Sequence, residues 1–425
     1  MLLDYLWIDS LCIIQDDEQD WNFESARMAN YYRNGVVTIA AVSTTSSHDS
    51  FLIREAPTLR QGQVARVPFE STRFPDISGW YDMRLAEEED EYERAGNDDT
   101  DITQSTWGQR GWTFQERYLS SRLLCFGRSK MQFRCRLQRL REDCIALAQR
   151  DLPDSPLFNR HMSTSCDCHV HENAYGAWYR LIELYPTRAL TKFSDRLPAI
   201  QGIAQEMNSL LVEHGILDSY AAGLWQKDIR TGLLWFARDS TSEGASRDMD
   251  GCYVATTWSW ATYSGPISFL KPSDGGWECT VEEVSLTVAD GAGPYGAVKS
   301  GFMRMSGPIA CVSSYEDLFI RLSPKDSQKF TRLWESGATV LDGGVNPCSL
   351  FADKTREVWV LRVYKEEPLF MTERQYLGLI LQKLEVDSDD TYQRIGIYKG
   401  PDISLAGVST DGDNIVWEYR SVTII

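Results

Sequence analysis

At 425 residues the chain exceeds one ordinary core, and at about 100–200 residues per domain it divides into two or three units. Its 43% apolar share, with 14 Trp and 19 Tyr, belongs to a folded globular protein and not to a disordered one. The formal charge of −18 argues against a sequence-independent grip on nucleic acid or on an anionic membrane, since both need a dense cationic face.

Ten cysteines without a tight, even framework read as reduced thiols, which points to a reducing compartment. No apolar run reaches the roughly 18 residues of a membrane span, and the N-terminus has no basic region before its apolar residues. The expected location is therefore the cytoplasm, with the nucleus as the other compartment left open.

In chain order, LLDYLWIDSLCII predicts a buried strand with Asp9 at or near its end. The acids of DDEQD then suit the N-terminus of a helix over WNFESARMANYY, in which Trp21, Met28 and Tyr32 recur at helical spacing. Asn34-Gly35 breaks that helix, and VVTIAAVS predicts a second buried strand, giving a β-α-β unit in a parallel sheet. From Ser43 to Asp101 the chain reads as loop with short strands, including the acidic block Glu87 to Asp101, taken as a solvated insertion.

Leu123 to Phe126 and Met131 to Phe133 are further strand candidates. Arg136 to His171 turns polar and irregular, as a helix tail followed by a linker. A helical block follows: Tyr175, Trp178, Ile182 and Tyr185 share one face, and Leu197, Ile200, Ala204, Met207 and Leu211 another, with Asp195 and Pro198 marking a helix start. Beyond about Asp250 alternating runs such as TWSWATYSGPISFL, ECTVEEVSLTV, REVWVLRVY and QYLGLILQKLEV predict an antiparallel sandwich or partly closed barrel. The expected organisation is residues 1–150, a linker at 151–172, a helical region at 173–245 and a β-rich domain at 246–425.

Several constellations invite chemistry. GAGPYG at Gly291, Gly293 and Gly296 has dinucleotide-fingerprint spacing, but Pro294 and the strand-like run after it favour a hairpin turn. Cys166, Cys168, His169 and His171, with His161 nearby, are metal-capable, yet their spacing is wrong for a zinc site and favours a solvated linker, so no metal is expected. Cys12, inside an apolar run, reads as a buried inert thiol. Asp9, at the end of a parallel strand, is a candidate for a polar site or for a capping role. Glu116 follows the rings of Trp112 and Phe114, where desolvation tunes a carboxylate; the alternative is an ion pair with Arg110, Arg117 or Arg122.

YLWIDSLCIIQDDEQDW (Tyr5 to Trp21), SARMANYYRNGVVTIAA and RGWTFQERYLSSRLL (Arg110 to Leu124) together resemble the heterokaryon incompatibility (HET) domain of filamentous fungi. LTKFSDRLPAIQGIA, YAAGLWQKDIRTGLLW and TWSWA resemble the downstream part of long HET proteins. The resemblance implies fungal non-self recognition and programmed cell death, with a protein partner or self-association. It also implies a remotely TIR-like, flavodoxin-like parallel sheet.

Some TIR domains cleave NAD+ with a glutamate after a Trp-containing motif. By resemblance Glu116 is then the catalytic position, and Asp9, Gln15, Arg110, Trp112 and Gln115 bind substrate or shape the site. NAD+ would be substrate, and no cofactor is expected. The family's opening serine-tyrosine-x-tryptophan-glycine segment is absent, which implies a domain lacking its first strand and helix and exposing a sheet edge. A noncatalytic signalling module or an inactive family member is the alternative.

Overall fold

A computed structural model describes residues 3–52, 64–70, 72, 78–84, 100–127, 131–135, 138–141, 146–147, 167–238, 251–272, 275–312, 340–341, 357–366, 375–385, 390–400 and 416–425. The chain forms two compact units, one of Met1–Tyr31 with Asp154–Ile425, the other of Tyr32–Pro153.

The chain opens without the expected strand. Residues 3–8 pair with no other strand among the described residues, and Asp9–Cys12 (α1) is a single helical turn. A run of strand-forming side chains becomes a strand only where a second backbone supplies the ladder. Lacking one, Tyr5, Leu6 and Leu11 stand 96%, 79% and 78% exposed, and Cys12 is exposed instead of buried. Helix α2 (Glu18–Ser25) starts as the acids predict, since the Asp17 carboxylate accepts from the N–H groups of Gln19 and Asp20 at 2.8 and 3.2 Å. Helix α3 (Met28–Asn34) ends at the residue before Gly35.

In the second unit, β1 (Thr38–Ala40) is shorter and more exposed than a buried central strand, with Ile39 53% exposed. Strands β2 (Val64–Glu70) and β3 (Ser78–Arg84) form a separate antiparallel hairpin. Residues 87–99 of the acidic block lie outside the described residues. Three short helices follow, α4 (Thr100–Thr103), α5 (Thr106–Gln109) and α6 (Thr113–Leu119), then β4 (Arg122–Phe126) and β5 (Met131–Cys135) where strands were expected.

β1 runs parallel to β4, with Thr38 opposite Leu123 and Ala40 opposite Cys125. The rest of that sheet is antiparallel, in the order β1-β4-β5-β6-β7, because β6 (Arg139–Arg141) and β7 (Ala146–Leu147) follow through connections too short for a parallel crossover. These strands replace the predicted helix tail. The fold is thus mixed α/β, with a single parallel pair among the described strands of this sheet. Ala40, Val42, Ile102, Trp107, Leu123 and Cys125 form its core.

Downstream, α7 (Asp167–Glu183) buries Tyr175, Trp178 and Ile182, with Tyr185 just beyond its end, on the predicted face. The 3-10 turns Phe193–Arg196 and Pro198–Ile200 lead into α8 (Gln201–Glu213), whose Ala204, Met207 and Leu211 are fully buried. Gln201 Nε2 donates to the Ser25 carbonyl at 3.0 Å, joining α8 to α2 within the first unit.

Between β8 (Tyr220–Ala221) and β9 (Leu224–Trp225), Ala222 and Gly223 both have positive φ, +44° and +97°, as a tight hairpin requires. The Gly223 carbonyl accepts from two indoles, Trp178 Nε1 at 3.1 Å and Trp260 Nε1 at 3.0 Å, and the Ser259 hydroxyl donates to the Ala222 carbonyl at 2.5 Å. Helix α9 (Ile229–Gly232) and β10 (Trp235–Ala237) follow, β10 pairing with β11 (Ile267–Phe269). Most of TWSWATYSGPISFL is therefore not a strand. Ser259 caps the Trp260–Thr262 turn, and Trp258 and Trp260 are fully buried.

The β-rich region contains β12 (Thr280–Val288), β13 (Val298–Val312), β14 (Val340–Leu341), β15 (Val358–Glu366), β16 (Gln375–Lys383), β17 (Thr391–Gly400) and β18 (Glu418–Ile424). Successive pairs are antiparallel along β12-β13-β15-β16-β17, as the alternation predicts. β18 pairs antiparallel with β13 and parallel with β17, so the hydrogen-bonded path from β13 returns to β13. Arg394 of β17 is buried over the Trp235 ring at 3.9 Å and donates to the Leu233 and Trp235 carbonyls at 2.7 and 2.6 Å. Among the described residues no helix is long and apolar enough to cross a membrane.

A Cβ at Gly223 would lie 2.5 Å from Trp260 Nε1, in a backbone conformation that L side chains rarely adopt. Gly215, at φ +73°, has open space around it. Gly223→Ala is expected to lower stability by about 3 kcal/mol, from strain plus overpacking, and Gly215→Ala by about 1 kcal/mol, from strain alone. Urea unfolding midpoints of the two variants measure the difference.

Candidate functional site

The stretch around Glu116 is assembled by local hydrogen bonds that its sequence encodes. Ser105 caps α5: its hydroxyl accepts from Gly108 N–H at 2.9 Å and donates to the Ile102 carbonyl at 2.6 Å. Gly108 is required there, since a Cβ would fall 1.8 Å from the Ile102 oxygen. Thr113 Oγ1 lies 2.5 Å from the Trp107 carbonyl and 2.8 Å from that of Arg110, folding the end of α5 onto the start of α6.

In α6 the residues Thr113, Phe114, Gln115, Arg117, Tyr118 and Leu119 are buried, and Glu116 alone of the seven is not. Trp107 Nε1 donates to Glu116 Oε2 at 3.2 Å. The Glu116 carbonyl accepts from Ser120 Oγ at 2.6 Å, and the same hydroxyl lies 2.7 Å from Thr38 Oγ1 on β1. The carboxylate is thus partly open to water, oriented by an indole and carried on a helix tied to the parallel strand pair.

Of the six expected site residues, four fall on this α5–α6 segment. Arg110 is exposed at the end of α5, Trp112 half-buried at the N-cap of α6, Gln115 fully buried, and Glu116 next to it. Asp9 and Gln15 belong to the other compact unit, where Gln15 Nε2 donates to the Asp9 carbonyl at 3.3 Å and to that of Ile13 at 2.8 Å. Of the arginines considered as ion-pair partners, Arg122 donates to the Val36 carbonyl at 3.3 Å, and Arg117 is buried with its carbonyl accepting from Arg134.

Trp107 was not among the expected residues. Its signal was present in Ser105, a strong N-cap type that opens a turn carrying Trp107 back toward Glu116. In sequence Trp112 lies nearer to Glu116.

Among the described residues no three His, Cys, Asp or Glu side chains gather as metal ligands. His161 and Cys166 lie outside the described residues. Cys168, His169 and His171 fall on α7, and their side chains are not described. GAGPYG is the hairpin turn between β12 and β13, closed by Ala289 N–H to the Ala297 carbonyl at 2.9 Å.

The Trp107–Glu116 bond is testable by a double-mutant cycle. Trp107→Phe and Glu116→Ala should couple by about 1 kcal/mol in urea unfolding, the size of a charge-assisted bond at a partly solvated site. Additive effects would mean that the contact contributes nothing to stability.

No curated protein and no solved structure matches this chain. Residues 2–116 match the family described as "Heterokaryon incompatibility protein (HET)", a stretch that includes all six expected site residues and ends at Glu116. Of that stretch, residues 2–31 lie in one compact unit and residues 32–116 in the other. At residues 2–116 the chain is thus similar to the heterokaryon incompatibility family.

Proposed function

We propose that this chain acts in fungal non-self recognition as a cytoplasmic heterokaryon incompatibility-type protein that leads to cell death, and that Glu116 cleaves NAD+. The observation that carries the enzymatic reading is that Glu116 is the one residue of α6 left unburied, with its carboxylate held by Trp107 Nε1. The parallel β1/β4 pair supports a flavodoxin- or TIR-like ancestry for the sheet.

In this reaction the bond between ribose C1′ and the nicotinamide nitrogen breaks, and its electron pair leaves with nicotinamide. The Glu116 carboxylate stabilises the oxocarbenium-like ribosyl centre. Water adds at C1′ and releases a proton, giving ADP-ribose. NAD+ is substrate here, and no step calls on a cofactor.

A second reading, a noncatalytic module that self-associates or binds a protein partner, is favoured by the exposed apolar residues Tyr5, Leu6, Leu11 and Ile14. An inactive family member would share that surface.

Nicotinamide release from NAD+ by the purified chain separates the readings. Glu116→Gln is expected to lower release by roughly 10²–10³-fold, as loss of one electrostatic stabiliser does, while costing no more stability than the roughly 1 kcal/mol of the Trp107 bond. Equal release by both proteins would remove Glu116 as the catalyst. Toxicity that survives Glu116→Ala would favour the noncatalytic reading.

A further inference from the structure

Two features of the HET region are complementary. Residues 3–8, LDYLWI, are of strand-forming type, and Ile8 already has extended backbone (φ −136°, ψ 123°). Their side chains face water: Leu3, Tyr5 and Leu6 are 54%, 96% and 79% exposed. The contacts that hold the segment's downstream end are local. Trp7 stacks on Tyr31 at 5.0 Å, Gln15 holds the Ile13 carbonyl, and Ile14 N–H donates to Asp20 Oδ2 at 2.8 Å.

The other feature is the edge of the sheet. β1 lies at one end of the order β1-β4-β5-β6-β7, and among the described residues no strand pairs with its outer side. Val36 and Ile39 are 41% and 53% exposed there, and residues 36–42, VVTIAAV, carry no charge. An edge strand without charge or proline is a template for another strand.

The geometry points to residues 3–8 of one copy adding as a strand to the β1 edge of a second copy. Each chain carries both the segment and the edge, so a second copy can supply the strand that each edge accepts. The added strand supplies the ladder for 3–8 and lays its side chains beside Ile39 of β1. Alternation puts Leu3, Tyr5 and Trp7 on one face of that strand and Leu6 and Ile8, with Asp4 as the one charge, on the other. This inference rests on the self-association reading above and names the surfaces that carry it.

Sedimentation equilibrium of the full chain tests it, with Leu6→Asp and Ile39→Asp as variants at exposed positions and thermal melting to confirm their fold. The wild-type chain is expected to dimerise at micromolar concentration, and each substitution to weaken the dimer at least about tenfold. In a second measurement, chains carrying Leu6→Cys and Ile39→Cys are mixed under mild oxidation. A disulfide-linked heterodimer should form in excess of the products from either variant alone. A wild-type chain that stays monomeric overturns both the surface and self-association. A dimer indifferent to both substitutions, without excess heterodimer, overturns the surface and leaves self-association standing.

Discussion

One backbone carbonyl organises the middle of this protein. Gly223 O accepts from the indoles of Trp178, on α7, and Trp260, from a turn some forty residues beyond the hairpin. Two large buried donors are satisfied by one acceptor, which is possible because a carbonyl has two lone pairs. It is presented to them because the hairpin adopts left-handed φ at both central residues. A side chain at Gly223 would occupy the space of the Trp260 ring. Trp225 packs edge-on against Trp178 in the same cluster, and Tyr185 against Trp260, so the helical block and the aromatic turn share one core.

That core reaches the β-rich region through Arg394. A guanidinium buried among apolar groups needs acceptors, and it finds them in the Leu233 and Trp235 carbonyls, with the Trp235 ring beneath it. Gln201 does the same in the opposite direction of the chain, fixing the end of α2 through Ser25. The first residues of the HET region therefore share a compact unit with the downstream chain and not with the strands that follow them in sequence. The family's boundaries are set by sequence likeness, those of the compact units by hydrogen bonds and buried rings, and here the two differ.

The Glu116 region is built mostly by contacts between near neighbours in sequence, with Ser120 reaching Thr38 on β1. Ser105, Gly108 and Thr113 fold three short helices on one another, and the burial of every other residue of α6 leaves Glu116 as its polar opening. Such an arrangement holds a carboxylate in a defined direction while leaving it partly open to water.

What the sequence by itself determined follows local rules. The stop at Asn34, the acidic cap of α2, the buried faces of α7 and α8, the hairpin at GAGPYG and the alternating strands from Thr280 onward were legible because caps, turns and periodicity act within a few residues. The likeness to the HET family at residues 2–116 was legible from motif order. Only tertiary structure decided the rest. LDYLWI has the composition of a buried strand and pairs with no strand among the described residues, because a ladder needs a partner that composition does not name. The sheet reads as parallel from its first crossover and is mostly antiparallel, because the short links after β4 permit nothing else. Trp107 donates to Glu116, because Thr113 folds the helix that carries Trp107 onto the one that carries Glu116. Each of these outcomes depends on which distant or folded-back group meets the residue, and spacing along the chain does not carry that information.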